Sequence, residues 1–252
     1  MVELKAISKY YGEHKVLEGL NLDIEKGKIT SFIGSNGAGK STLLSIIARL
    51  IRQNGGSVFL EGKQLDSIKD KDIARKVAVL KQSNFLNIKL TIRELVAFGR
   101  FPHSKGRLNK IDNDIIDKSL EYLGILDIQH KYIDQLSGGQ RQRAFIAMVV
   151  AQDTEYILLD EPLNNLDMKN SVSIMKVLRN LVDEMQKTIV LVLHDINFAA
   201  SYSDNIVAMR DGKIVKCGRT NDIIESTCLR EIFDMDFDVR EVNNCKVCLY
   251  FR

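Results

Sequence analysis

The sequence has no apolar run long enough to cross a bilayer. Its strongest, Ile189-Val190-Leu191-Val192-Leu193, is far shorter than the roughly 20 residues a spanning helix needs. The opening residues Met1-Val2-Glu3-Leu4-Lys5 lack a basic segment followed by an apolar core, so no secretory signal is expected and residence in the cytoplasm follows. Proline is scarce, two in 252 residues, and no low-complexity linker or internal repeat breaks the pattern, which favours one domain with an insertion over two independent domains. A surplus of one charge sign is also missing. Lys and Arg number 36 against 33 Asp and Glu, a net charge of +3 without a long single-sign block, and this gives a nucleic-acid partner no support. Cysteine is absent before Cys217. The Cys245-x-x-Cys248 spacing invites metal or redox chemistry, yet Cys245, Val247 and Leu249 alternate with Lys246, Cys248 and Tyr250 as on a strand. Residues three apart on a strand point to opposite faces, and no second pair completes four ligands, so the thiols read as structural or incidental. What remains is a chain 45% apolar, enough to bury a substantial core.

Several segments declare their structure by period. Val2 to Ile7, Lys15 to Leu17 and Leu20 to Ile24 read as short strands separated by Tyr11-Gly12 and followed by Lys26-Gly27, an antiparallel edge. Ile29 to Ile33 is a compact apolar run ending at Gly34. Leu43, Leu44, Ile46, Ile47 and Leu50 then recur at helical spacing, so strand, glycine loop and helix follow in order. From Thr91, whose hydroxyl and the Glu94 carboxylate can form a capping box, a helical section is expected to about Ala151. Tyr156 to Leu159 and Thr188 to Leu193 read as buried strands around a helix from Asn170 to Glu184, which argues a mostly parallel sheet. Asn205 to Arg210, the Asp211-Gly212 turn and Lys213 to Cys217 predict a hairpin.

Three clusters carry chemistry. Gly34-Ser35-Asn36-Gly37-Ala38-Gly39-Lys40-Ser41 matches G-x-x-x-x-G-K-[ST] with a strand before it and a helix after it. Such a loop wraps backbone N–H groups and a helix N-terminus around phosphate oxygens; Lys40 should reach the β- and γ-phosphates and the Ser41 hydroxyl a Mg²⁺ ion. Tyr156-Ile157-Leu158-Leu159-Asp160-Glu161 ends an apolar strand in two carboxylates, at the sheet edge where α/β folds bind ligands. An acidic strand end by itself is usually a solvated turn. Behind a phosphate loop, Asp160 becomes the partner of the Mg²⁺ shell and Glu161 the group that orients and deprotonates water. Leu136-Ser137-Gly138-Gly139-Gln140 reads as a helix start, with Ser137 as N-cap and Gln140 closing a capping box before the apolar run Ala144 to Ala151. This could be a capped helix and nothing more. Paired glycines at a helix N-terminus nevertheless leave N–H groups open to an anion, and two copies placed head to tail would then enclose two nucleotides.

These motifs, in this order over essentially the whole chain, resemble the ATP-binding subunits of ABC transporters. The resemblance implies a P-loop NTPase of α/β class, with a RecA-like mostly parallel core sheet, an antiparallel β-subdomain and an inserted helical subdomain. Residues 1–87 and 152–252 would form the catalytic core with its β-subdomain, and 88–151 the helical subdomain. It makes Gly34, Ser35, Asn36, Gly37, Ala38, Gly39, Lys40, Ser41 and Thr42 the ATP loop, and Tyr11, with Tyr10 as a substitute, the aromatic that stacks on adenine. Gln82 takes the place of the glutamine that senses Mg²⁺ and attacking water and connects to the membrane subunit. His194 takes that of the histidine contacting the γ-phosphate, and Asn165-Leu166-Asp167 that of the loop crossing the dimer interface. Ser137, Gly138, Gly139 and Gln140 would act on ATP bound by a second copy. Alone, such a glutamine, tyrosine or histidine is usually ordinary surface or packing. Ser35 stands where the family often has proline and Leu163 where it often has threonine; neither position supplies a side chain to hydrolysis.

Leu95-Val96-Ala97-Phe98-Gly99-Arg100-Phe101-Pro102-His103 with Gly106-Arg107-Leu108 is similar to the importer branch serving ferric siderophores, haem and cobalamin. Together with Ala144 to Met148 and Glu161 to Asp167, the chain is most similar to petrobactin-type siderophore import ATP-binding proteins. The implied cofactors are ATP and Mg²⁺. The implied partners are a second copy, integral membrane permease subunits and an extracellular substrate-binding lipoprotein, with the chain peripheral on the cytoplasmic membrane face. A soluble ABC ATPase of iron–sulfur assembly shares the nucleotide motifs and is the alternative. Those of translation usually carry two cassettes in one chain and those of DNA repair a long coiled-coil insertion, and neither feature is present.

Overall fold

The computed structural model describes residues 1–82, 88–243 and 245–251. Strands β1 (Val2–Tyr11), β2 (His14–Ile24) and β3 (Ile29–Ile33) lead into helix α1 (Lys40–Ile47). Then follow β4 (Gly55–Leu60), β5 (Lys63–Gln64), α2 (Asp70–Ile73) and β6 (Val77–Leu80). The next stretch is helical: α3 (Ile92–Phe98), α4 (Phe101–Ser104), α5 (Lys110–Tyr122) and α6 (Gly138–Ala151). Strand β7 (Tyr156–Asp160), α7 (Met168–Met185), β8 (Thr188–Val192) and α8 (Ile196–Tyr202) return to the sheet. The tail adds β9 (Asn205–Arg210), β10 (Lys213–Arg219), α9 (Thr220–Ile223), α10 (Ser226–Phe233), β11 (Asp238–Val242) and β12 (Cys245–Leu249).

The central sheet has the order β10-β9-β3-β8-β7-β6; every pairing is parallel except the edge hairpin β9–β10. All five residues of β3, β7 and β8 are buried, as strands covered on both faces must be. Their side chains divide by the two-residue period. Ile33, Ile157, Leu159, Ile189 and Leu191 join a core shared with α3, α5, α6, α7 and α8, whereas Phe32, Tyr156, Leu158, Val190 and Val192 join one shared with α1 and the first strands. That second core is closed by the antiparallel sheet β2-β1-β4-β5.

The parallel sheet and the 205–219 hairpin agree with their sequence patterns. The expected short strands before residue 25 merge into two long ones with register shifts. Ala6 takes a left-handed φ of 52° and its N–H turns to the Asn21 Oδ1 at 2.9 Å, while the Gly19 N–H donates to the Ser8 Oγ at 2.9 Å. Side chains thus replace ladder bonds at two bulges, and the broken alternation disguised continuous strands. Thr91 and Ser137 cap α3 and α6 through reciprocal boxes, as their sequences predict, and Asn109 with Asp112 forms a third on α5. Cys245 is exposed and Cys248 fully buried on β12, the opposite-face arrangement that the strand alternation requires.

Strand register fixes where chemistry gathers. Val192 of β8 pairs with Phe32 of β3 on one side and Asp160 of β7 on the other, so Gly34, Glu161 and His194 leave the sheet along one edge.

Candidate nucleotide-hydrolysis site

The glycine loop turns sharply off β3 at Gly34, whose φ of 136° places any β-carbon on top of the Met209 carbonyl oxygen of β9. This first glycine is therefore demanded by the neighbouring strand as well as by the loop's course. The loop delivers Lys40 as the first residue of α1, 4% exposed, with its Nζ donating to the Gly34 and Ser35 carbonyl oxygens at 2.8 Å each. Burial lowers the Lys40 pKa, and the nearby Glu161 and Asp160 carboxylates oppose the shift.

Asp160 ends β7, 7% exposed, and accepts from the Ser41 hydroxyl at 2.7 Å. Burial raises its pKa against that hydrogen bond, and Glu161 adds to the rise. A hydroxyl and a carboxylate oxygen so juxtaposed are hard donors that suit Mg²⁺. Among the described residues no group of three His, Cys, Asp or Glu side chains comes together.

Glu161 stands in the left-handed region at φ 52°. Its Oε1 lies 2.6 Å from the His194 Nε2, and its Oε2 accepts from the Gln82 Nε2 at 2.6 Å and from the Asn164 Nδ2. Three loops from three strand ends thus converge on one carboxylate. Asn164 was not singled out from sequence; its only signal is its place three residues beyond Glu161, in the turn where Asn165 also has φ 60°.

A cleft of about 360 Å³ brings the glycine loop together with Glu161 and His194, lined by Tyr11, His14, Val16, Asn36 to Thr42, Glu161 and His194. Of the two aromatic candidates, Tyr11 lines it and Tyr10 does not. His14 and Val16, both missed from sequence, enter because β2 crosses the loop beside Tyr11; His14 is Tyr11's cross-strand partner. A larger hollow of 430 Å³ between α5 and the end of α7 contains none of these residues.

Ser137, Gly138, Gly139 and Gln140 do not line the cleft. They begin α6, with the Ser137 N–H donating to the Gln140 Oε1 at 3.2 Å and the Gln140 N–H to the Ser137 Oγ at 3.3 Å. Ser137 and Gly138 are exposed and Gly139 is buried. Asn165 and Asp167 are exposed in the turn before α7, and Asp167 caps that helix by accepting from the Asn170 N–H at 2.7 Å.

The arrangement has known counterparts. A profile of the ABC transporter family matches residues 17–164. The petrobactin import ATP-binding protein YclP of Bacillus subtilis is 56% identical over 251 residues, with 100% of each chain covered. The petrobactin import ATP-binding protein FatE of Bacillus anthracis is 46% identical over 239 residues, covering 95% of this chain and 96% of its own. A dimeric ATP-binding cassette solved in a post-hydrolysis state with ADP and Pi superposes with a TM-score of 0.78 at 31% identity, over 87% of this chain and 99% of its own. With its phosphate loop, acidic strand end and ringed glutamate on one sheet edge, the chain belongs to the ABC transporter family, as one of its ATPases.

Proposed function

We propose that this protein hydrolyses ATP to power import of an iron(III)-siderophore complex, of petrobactin type, through a membrane transporter. The observation that carries the hydrolytic part is Glu161, held at the mouth of the phosphate-loop cleft by Gln82, Asn164 and His194. Gly34 to Thr42 bind the phosphates, with Lys40 released from the loop carbonyls toward the β- and γ-oxygens, and Tyr11 stacks on the base. Ser41 and Asp160, with Gln82 nearby, would hold Mg²⁺, which would supply positive charge to offset that of the phosphates. Glu161 takes the proton of the attacking water while His194 fixes the carboxylate and contacts the γ-phosphate.

Two copies meet head to tail, so that Ser137, Gly138, Gly139 and Gln140 of each address the ATP of the other across a seam bordered by Asn165 and Asp167. Loss of the bridging γ-phosphate lets the copies part. The helical subdomain, residues 88–151, moves against the catalytic core and passes this motion, beside Gln82, to the permease. The chain would attach peripherally at the cytoplasmic membrane face, and no helix among the described residues is long and apolar enough to span a membrane. The cargo reading is supported by two petrobactin import relatives that match along nearly the whole chain. An extracellular lipoprotein would deliver the loaded siderophore.

Radiolabelled iron uptake tests the cargo. Cells lacking the gene should fail to take up ferric petrobactin and regain uptake from the wild-type gene but not from a Glu161→Gln copy. Normal uptake in the deletion strain, together with co-purification of the protein with soluble iron–sulfur assembly factors alone, would sink the import reading.

A further inference from the structure

A polar joint links the start of α6 to the start of α7. Asp167, the N-cap of α7, accepts from the Asn170 backbone N–H through Oδ1 at 2.7 Å and from the Asn170 Nδ2 through Oδ2 at 2.9 Å. The other end of the same amide, Asn170 Oδ1, accepts from the Arg143 Nη2 of α6 at 3.3 Å. Arg143 is itself tethered, donating to the Ser173 Oγ at 3.2 Å and to the Leu123 carbonyl oxygen at 3.5 Å. The Asn170 side chain consequently lies flat against the first turn of α6. A β-carbon at Gly139 would sit 2.6 Å from the Asn170 Cγ and Nδ2 and 2.9 Å from its Oδ1. At Gly138 the nearest atom would be the Asn165 carbonyl oxygen at 3.7 Å, an ordinary contact. The paired glycines are therefore unlike: one has room toward solvent, and the other is filled from within its own chain.

We propose that Asn170 is a positioning residue that locks the Ser137–Gln140 turn to the Asn165–Asp167 turn within one protomer, and that Gly139 lacks a side chain in order to admit it. The inference rests on the reading that both turns meet the second copy's ATP. Asn170 cannot simply swing aside for a methyl group, because its amide is bonded at both ends, to Asp167 and to Arg143. Displacing it breaks the α7 cap's side-chain bond and the tie to α6 together. With the joint intact, the two turns approach a partner as one surface whose spacing is set before closure. With it broken, each turn pays ordering entropy during closure, and small misplacements around a phosphate are costly in rate.

The test compares the wild-type chain with Gly139→Ala, Asn170→Ala and the double variant. It reads kcat and KM for ATP, affinity of the single chain for a fluorescent ATP analogue, melting temperature, and ATP-driven dimerisation in a Glu161→Gln background. Each single substitution should lower kcat and dimerisation about tenfold while single-chain nucleotide affinity holds, since Lys40 and Ser41 are untouched. In the double variant, Gly139→Ala should add nothing to the loss from Asn170→Ala, because the clash has been removed. Full additivity would overturn the inference, by showing that Gly139 is needed bare by the partner's nucleotide. An Asn170→Ala protein with normal kcat and dimerisation would overturn it too, even with a lowered melting temperature. Failure of the two-copy reading would show differently: the Glu161→Gln protein would not dimerise with ATP although Gly139 and Asn170 are intact, and non-additivity in kcat would alone decide whether the lock exists.

Discussion

The base role proposed for Glu161 asks for an aimed carboxylate, and Glu161 is aimed by backbone as well as by partners. Its φ of 52° is a conformation that costs a non-glycine residue about 1–3 kcal/mol, which persists only where surroundings enforce it. The Asn164 N–H donates to the Glu161 carbonyl oxygen at 3.3 Å in the turn that follows, while Gln82, Asn164 and His194 hold the carboxylate itself. Glutamine at position 161 keeps the shape and hydrogen-bonding capacity but not the basicity. Glu161→Gln should therefore bind ATP with near-normal affinity and lose turnover by about 10²–10⁴-fold, the usual worth of a positioned general base. Phosphate release from ATP, beside equilibrium nucleotide binding, checks both halves; normal turnover would remove Glu161 from the base role. The cysteines give a second residue-scale expectation. Cys248 has no exposed surface and burial pushes its thiol up to about 11, so little thiolate forms near neutral pH, whereas Cys245 of the same strand is exposed. A maleimide should label Cys245 in the native protein and Cys248 only after denaturation, as read by peptide mass spectrometry.

At the scale of elements, the segment whose sequence resembles the siderophore branch turns out to be a clamp on the far end of α6. A β-carbon at Gly99 would strike the Met148 carbonyl oxygen, so α3 ends in direct contact with α6. Arg100, 5% exposed, donates its Nε to the Asp112 Oδ1 at 2.9 Å and its Nη1 to the Ala151 carbonyl oxygen at 2.9 Å. His103 meets the Gln152 carbonyl oxygen at 3.0 Å. A cation and an imidazole thus satisfy carbonyls at a helix C-terminus, where orphan acceptors and the dipole favour them. Asp112→Ala leaves the Arg100 charge buried without its partner and removes half of the α5 capping box. It should cost about 3–5 kcal/mol, measured as a lower urea midpoint with unchanged slope. The same elements show what sequence can convey. The β3–loop–α1 unit, strands β7 to β10 and the capping pairs of α3 and α6 were legible because their signals are local: an apolar run, a glycine pattern, a turn dipeptide, a box closed within four residues. Arg100 with Asp112, Asn164 on Glu161 and His14 in the cleft were not, because each depends on where a remote element comes to rest. The bulges at Ala6 and Gly19 hid continuous strands for the opposite reason, a local irregularity inside a regular ladder.

Across the whole molecule, the edge of the sheet that carries chemistry is opposed by an edge that only holds the two sheets together. Glu61, in the turn between β4 and β5, is ion-paired with Lys76 just before β6 and with Lys26 at 3.5 Å; Lys26 also reaches Glu155 at 2.7 Å. The Tyr156 hydroxyl at the start of β7 donates to Glu61 at 3.5 Å and accepts from the Met1 ammonium at 2.8 Å. Residues far apart in sequence thus fasten the antiparallel sheet to the bottom of the parallel one. The hydrogen bond from Lys76 holds the Glu61 carboxyl at about 2, well under its ordinary 4.5, in spite of some desolvation. A carboxylate depressed on folding adds stability that is fully present above its unfolded pKa and is lost as pH falls through the folded one. For Glu61 the loss should run from about pH 4.5 down to about 2. Glu61→Gln should therefore be destabilising by about 1 kcal/mol at neutral pH, since the pairs are partly solvated, and the penalty should shrink through that acid window. It should shrink with added salt as well, because exposed pairs are screened over about 10 Å at 0.1 M. Urea titrations of both proteins at pH 7 and pH 3, each at low and high salt, check the sign. A gap that stays constant across all four conditions would mean that the joint is held by packing around Tyr156, and not by charge.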